Sequence, residues 1–102
     1  MNRAKAASMI GIARKAGKVA AGEFSAEKAI KEGKAHLVIL SEDASENTQK
    51  KFHDKASYRK VPVCTFLPKA ELGRTAGLGD RSVLAITDGN LAEAIRKLID
   101  EI

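Results

Sequence analysis

Residues 22–43 read GEFSAEKAIKEGKAHLVILSED, and this stretch decides the fold. Ser25 is a good helix N-cap, since its hydroxyl can accept from a free amide of the first turn. A helix is expected over 26–32, with Glu27/Lys31 and Lys28/Glu32 as i,i+4 pairs and Gly33 as its stop. The run from His36 to Leu40 then suits a central strand covered on both faces, because its apolar residues do not alternate with polar ones. Ser41-Glu42-Asp43 supplies the next cap, for a helix over 44–57 whose only large apolar residue is Phe52. Helix, doubly covered strand and helix in direct succession describe a layered α/β chain.

Upstream, residues 2–16 form an Ala-rich helix that Gly17 can stop. At about 100° per residue, Ala6, Met9, Ile10, Ile12, Ala13 and Ala16 gather on one side. Arg3, Arg14, Lys15 and Lys18 gather on the opposite side, and only Lys5 breaks the division. Val19-Ala20 is a short strand, turned by Gly22. Downstream, 61–66 is a strand whose Pro62 removes a ladder donor and predicts an edge position. Residues 69–76 are a short helix closed by Gly77, and Gly79-Asp80-Arg81 is a tight loop. Residues 82–87 are the last strand. Asp88 caps a final helix with Leu91, Ala94, Ile95, Leu98 and Ile102 on one stripe. The strict alternation predicts a three-layer α/β/α sandwich around four short strands. With 102 residues and no linker or repeat, residues 1–102 are expected to form one domain.

The charge is unevenly placed. The first 18 residues hold five bases and no acid, while the other 84 hold 13 of each. Charge confined to one end can form a patch that attracts a polyanion. Cys64 is the only cysteine, so no intrachain disulfide can form, and a reducing compartment such as the cytoplasm fits best. The N-terminus lacks the apolar core of a signal peptide, and the longest apolar run, residues 37–40, is far too short to span a bilayer.

Few residues are suited to catalysis. His36 and His53 have no second His or Cys at metal-ligand spacing, so no metal site is expected. Cys64 lies inside a strand beside Pro62 and Val63, the setting of a structural thiol rather than a nucleophile. Ser25-Ala-Glu-Lys28 has the S-x-x-K spacing of penicillin-binding enzymes without their companion motifs, and the capping role accounts for Ser25 better. Gly77-Leu-Gly79-Asp80 lacks the third glycine of a dinucleotide loop and follows a helix instead of a strand. The pattern describes a non-enzymatic chain with no cofactor.

The signals for nucleic acid are more coherent. The basic side of the first helix leads through Lys18 to the Gly22 loop, and that loop opens a helix whose N-terminal amides can meet a phosphate. Lys28 projects from the same helix. The alternative is a solvated charged face with ordinary capping. Phe24, Phe52, Tyr58 and Phe66 are the only aromatics, and Phe52 and Phe66 are expected in the core. That leaves little for a platform that stacks base after base, and favours folded RNA read through its backbone and groove shape.

The stretch 22–43, followed by Pro62-Val63 and by Lys69-Ala70-Glu71-Leu72-Gly73-Arg74-Thr75-Ala76-Gly77, resembles the L7Ae/L30e ribosomal-protein family in order and spacing over nearly the whole chain. It is most similar to the short bacterial members. The resemblance implies an α/β/α sandwich with a mixed four-stranded sheet and a non-enzymatic role in binding kink-turn RNA. It implies that Gly22, Glu23, Phe24, Ser25 and Lys28 meet tandem sheared G·A pairs in the widened groove. Lys15 and Lys18 would touch phosphate beside them. Leu78, Gly79, Asp80 and Arg81 would cover the flipped-out nucleotide. The chain departs from the family pattern where many members have Asn-Glu and this one has Phe24-Ser25, and its last loop lacks the Glu-Val element of archaeal members. Phe24 suits a hydrophobic staple for its helix better than a contact with base or sugar, which passes base-edge contact to Glu23 or Ser25. The expected function is that of a cytoplasmic, monomeric protein bound to kinked RNA in ribosomal RNA or structured leaders. The competing expectation is a protein-interaction module on the same fold, with Phe24 as its anchor.

Overall fold

The computed structural model describes residues 2–102. The order is α1 (Asn2–Lys15), β1 (Val19–Ala21), α2 (Glu23–Lys31), β2 (Leu37–Leu40), α3 (Glu46–Tyr58), β3 (Val63–Thr65), α4 (Lys69–Thr75), β4 (Val83–Ile86) and α5 (Gly89–Asp100). The strands lie in the order β1-β4-β2-β3. β4 is antiparallel to both β1 and β2, while β2 and β3 are parallel, so the sheet is mixed. The alternating pattern and the sandwich expected from it are both present.

Every residue of β2 and β4 is buried, as the uninterrupted apolar run at 37–40 requires of a strand covered on both faces. Side chains alternate across the sheet. Leu37, Ile39, Leu84 and Ile86 face α1, α4 and α5, in a core completed by Ile10, Phe66, Leu72 and Ile95. Val38, Leu40, Val83 and Ala85 face α2 and α3, and meet Ala26, Ile30, Phe52 and Ala56. Phe52 and Phe66 are core residues, as expected. β3 lies at the sheet edge where Pro62 places it; that proline, just outside the strand, keeps its carbonyl as acceptor for the Val38 amide at 3.0 Å.

The helix starts differ from expectation. α2 begins at Glu23 with Gly22 as its N-cap, so Ser25 lies inside the first turn and does not cap it. Gly22 has φ 93°, which costs glycine little, and its carbonyl accepts from Ala26 at 2.9 Å. The chain can therefore turn from β1 directly into helix. α3 begins at Glu46, where Ser45 Oγ accepts from the Thr48 amide at 3.1 Å. Residues 41–43 are engaged elsewhere: the Ser41 amide donates to Ser82, that of Glu42 to Leu67, and Asp43 Oδ1 accepts from the Lys69 amide at the start of α4. That backbone hydrogen bond holds the Asp43 carboxyl below its ordinary pKa. Asp88 caps α5 as expected, accepting from Leu91 at 2.9 Å.

The two-faced reading of α1 also needs correction. Its buried residues are Ala6, Ile10 and Ala13, whereas Ile12 is 53% exposed and Ala16 is exposed beyond the helix end. α1 packs against α4 and α5, so a narrower arc is covered than the apolar residues span. Arg3 and Arg14 border that arc instead of opposing it. The Arg3 guanidinium lies 5.7 Å from the centre of the Phe66 ring and 3.4 Å from Glu42, and Arg14 Nε donates to the Ala76 carbonyl at 3.3 Å.

Candidate nucleic-acid interface

Three segments border β1, the α1 end at its N-terminal end and the other two at its C-terminal end. The α1 end closes with the Gly17 and Lys18 amides donating to Arg14 and Ala13, after which the Lys18 carbonyl accepts from Thr87. This lays Lys18 along the rim of the sheet. The β1–α2 turn is tied to β4 by the Gly22 amide, which donates to Val83 at 2.9 Å. The third segment is the α4–β4 loop. Here Gly73 is decisive, since a Cβ at that position would lie 1.8 Å from the Gly79 carbonyl oxygen. Only glycine lets the loop pack onto α4. The Arg81 amide then donates to Lys69 at 3.0 Å, and Arg81 Nη1 donates to its own loop at Asp80, 2.8 Å away. The result is that the Arg81 side chain passes over Gly22, with Cδ 3.7 Å and Nε 3.8 Å from where a Cβ would stand.

The sequence-predicted residues are thus partly assembled. Gly22 and Arg81 are in contact, and Gly79 and Asp80 are carried beside them. Phe24, Ser25 and Lys28 line a shallow groove with Gly17, Val19 and Lys34, which puts the residues on either side of Lys18 next to α2. Lys28 is exposed, and neither it nor Lys15 or Lys18 forms an ion pair among the described residues. The expected Lys28/Glu32 pair is absent there because Glu32 pairs with Lys34 at 3.3 Å. No side chain caps α2, so the positive end of its dipole adds to these cations.

Other predicted residues are turned elsewhere. Glu23 Oε2 accepts from Thr48 Oγ1 at 3.3 Å and so faces α3. Leu78 is half-buried, with its amide on the Gly73 carbonyl. Lys15 is exposed on the last turn of α1. Phe24 is 82% exposed, which overturns the staple. A staple needs the aromatic before the N-cap, and with the cap at Gly22 Phe24 is already inside the first turn, pointing to solvent.

Three residues have tertiary roles that the sequence reading did not give them. Arg14 joins the α1 end to the Ala76 carbonyl at the start of the α4–β4 loop. Gly73 seats that loop; a glycine inside a helical pattern was the available signal. Glu27 bridges α2 to α3, receiving Lys51 at 2.9 Å, Lys55 at 3.2 Å and Lys31 at 3.3 Å. The hydrogen bonds from Lys51 and then Lys55 lower its carboxyl to about 2. Glu27/Lys31 is an i,i+4 pair, as expected, but its other two partners come from α3.

The candidate nucleophiles do not converge. Cys64 packs against the α1/α4/α5 side of the core, and burial pushes its thiol up to about 12. Ser25 lies on α2 and His53 is exposed on α3. Among the described residues, no group of three His, Cys, Asp or Glu side chains is placed to hold a metal ion, and no helix is long and apolar enough to cross a membrane.

The architecture has relatives. The sequence profile of the Ribosomal protein L7Ae/L30e/S12e/Gadd45 family matches residues 4–95. RNA-binding protein YlxQ of Bacillus subtilis (strain 168) is 44% identical over 92 residues, which cover 90% of this chain and 92% of that protein. RNA-binding protein YlxQ of Enterococcus faecium is 40% identical over 99 residues, covering 97% and 95%. A solved structure of a protein with unknown function from Bacillus halodurans C superposes with a TM-score of 0.91 at 35% identity, over 94% of this chain and 97% of that one. The Giardia lamblia 15.5kD RNA binding protein superposes with a TM-score of 0.79 over 99% and 90%, and at 21% identity this likeness is one of fold alone. With a profile match over most of its length and relatives above 40% or at 40% identity along nine-tenths of it, the chain belongs to the L7Ae/L30e/S12e/Gadd45 ribosomal-protein family.

Proposed function

We propose that this protein is a non-catalytic RNA-binding protein that recognises kink-turn-like structured RNA, in ribosomal RNA or another translation-associated transcript. One observation carries the reading: Arg81 lies over Gly22, so two segments far apart in sequence form one surface at the start of α2, the helix that bears the unpaired Lys28. Membership of a family whose close relatives are named RNA-binding proteins supports it. In this reading the chain acts as a single cytoplasmic, monomeric domain.

Lys15, Lys18, Lys28 and Arg81 attract phosphate and fix the orientation of the RNA without reading its sequence. The uncapped start of α2 offers backbone donors to one more phosphate. Ser25 and the Glu23 amide are then available to base edges, with Gly22 allowing close approach and Phe24 as an exposed ring against a sugar or base. Leu78, Gly79 and Asp80 complete the loop that covers the kink. A protein that binds only the bent RNA shifts the RNA toward that form by its differential affinity.

The exposure of Phe24 favours a second reading, a protein-interaction surface on the same fold. Titration of a kink-turn duplex and a straight duplex, each at two salt concentrations, separates the two. Tighter, salt-dependent binding of the kinked duplex is expected. Equal weak binding to both sinks RNA recognition.

A further inference from the structure

We propose that the RNA track continues beyond the β1–α2 turn, along the exposed ridge of α2, to a corner formed by Tyr58 and Arg59 that takes an unpaired ribonucleotide flanking the structured element. The inference rests on the RNA-binding reading above. Phe24, Lys28 and Lys31 are all exposed and are spaced i, i+4, i+7, so they share one face of α2. That ridge is about 10 Å long at the helical rise. Its far end is Lys31, which also lines a shallow groove between α2 and α3 with Ile30, Lys55, Tyr58 and Arg59.

Tyr58 is 84% exposed on the last turn of α3. A large aromatic side chain gains nothing there from packing. The Arg59 guanidinium carbon lies 5.9 Å from the centre of its ring, and Arg59 Nη2 donates to the Lys31 carbonyl at 3.0 Å. The guanidinium is therefore anchored to the end of α2 beside an open ring. A flat cation next to an aromatic face is a stacking surface for a nucleobase, and it tolerates any base because each has a π-face. The charge around it is positive on balance: Lys31, Lys55 and Arg59 stand against Asp54 in the groove and Glu27 beside it, which pairs with both lysines and leaves Arg59 outside the cluster. An acidic chain with flat rings fits this corner, which is the chemistry of single-stranded RNA.

Tyr58 is the only tyrosine and the chain has no tryptophan, so intrinsic tyrosine emission reports this corner alone. The test titrates the full chain with a kink-turn duplex carrying a short single-stranded overhang, and with the same duplex blunt. The overhang is expected to quench the emission and tighten binding about ten-fold, a typical yield for one stacked base. Tyr58→Ala should lose that gain and Tyr58→Phe should keep it, with blunt-duplex affinity equal in all three proteins. Emission unchanged at saturating overhang RNA, or Tyr58→Ala binding both RNAs as the parent does, overturns the proposal. If the blunt duplex is not bound at all, the reading of the β1–α2 face fails instead. Quenching by a free single-stranded oligonucleotide then decides the corner separately: present, it upholds the corner, and absent, it overturns it.

Discussion

The two flanks of α2 use lysine in opposite ways. On the α3 flank, Glu27 gathers Lys31, Lys51 and Lys55, and raises Lys51 above its ordinary pKa. On the β1 flank, Lys28 and Lys18 have no acid partner among the described residues, and Arg81 lies over Gly22 at the uncapped start of the helix. One flank spends its lysines on holding two helices together and keeps only Arg59, at its far end, outside the cluster; the other leaves its lysines available to a ligand. Net charge alone cannot distinguish these uses, since a cation already in an ion pair has less to offer a phosphate.

The largest expected effect breaks the closed flank. Phe52 is the single large apolar anchor of α3, fully buried beneath it. Phe52→Ala should cost about 3–5 kcal/mol in chemical denaturation, the usual loss for a buried phenylalanine. Where the variant remains folded, its preference for kinked over straight RNA should persist; loss of that preference would show that the flanks are not separable.

Gly73→Ala breaks the open flank. The added methyl must displace the Gly79 backbone, at a cost of about 1–3 kcal/mol for overpacking. Because the displaced loop carries Arg81, RNA affinity should fall further than stability does. A melting temperature and affinity equal to those of the parent would remove Gly73 from the site.

Lys28→Ala and Lys51→Ala sharpen the comparison directly. The first should weaken binding of a blunt kink-turn duplex and reduce its salt slope by about one, with melting unchanged. The second should leave that slope alone and lower the melting temperature slightly. Reversed outcomes would mean that the free and engaged lysines have been assigned to the wrong flanks.

The smallest effect is pH-dependent. Glu27 titrates near 2 in the fold against an ordinary 4.5. A depressed folded pKa stabilises above the unfolded value and is lost as pH falls through the folded one. The melting difference between the parent and Glu27→Gln should therefore be constant above about pH 5 and shrink toward pH 2. A difference that stays flat over that range would remove the three-lysine cluster as its cause.

Much of the framework was legible in the sequence because it depends on patterns within one element. The uninterrupted apolar run at 37–40 specified a doubly covered strand, Pro62 marked the edge and Asp88 marked the start of α5. The caps of α2 and α3 were misplaced because a cap depends on which other partners are within reach. Ser25 had the right side chain, but the positive φ of Gly22 started the helix earlier. Asp43 had the right side chain as well, and the Lys69 amide took it. The candidate residues came from the sequence as three separate segments, Lys15 with Lys18, Gly22 to Lys28 and Leu78 to Arg81, and the approach of the last two was not readable there.

By itself, then, the sequence determined the order of elements, the central strand at 37–40, the basic N-terminal end and the family. Each of these follows from local periodicity, turn chemistry or motif spacing. Only the tertiary structure decided that Arg81 lies over Gly22, that Glu27 engages three lysines while Lys28 stays free, and that Phe24 and Tyr58 face solvent. These depend on which residues distant in the chain are brought within a few ångströms, and ion pairing, burial and close approach act only at that range.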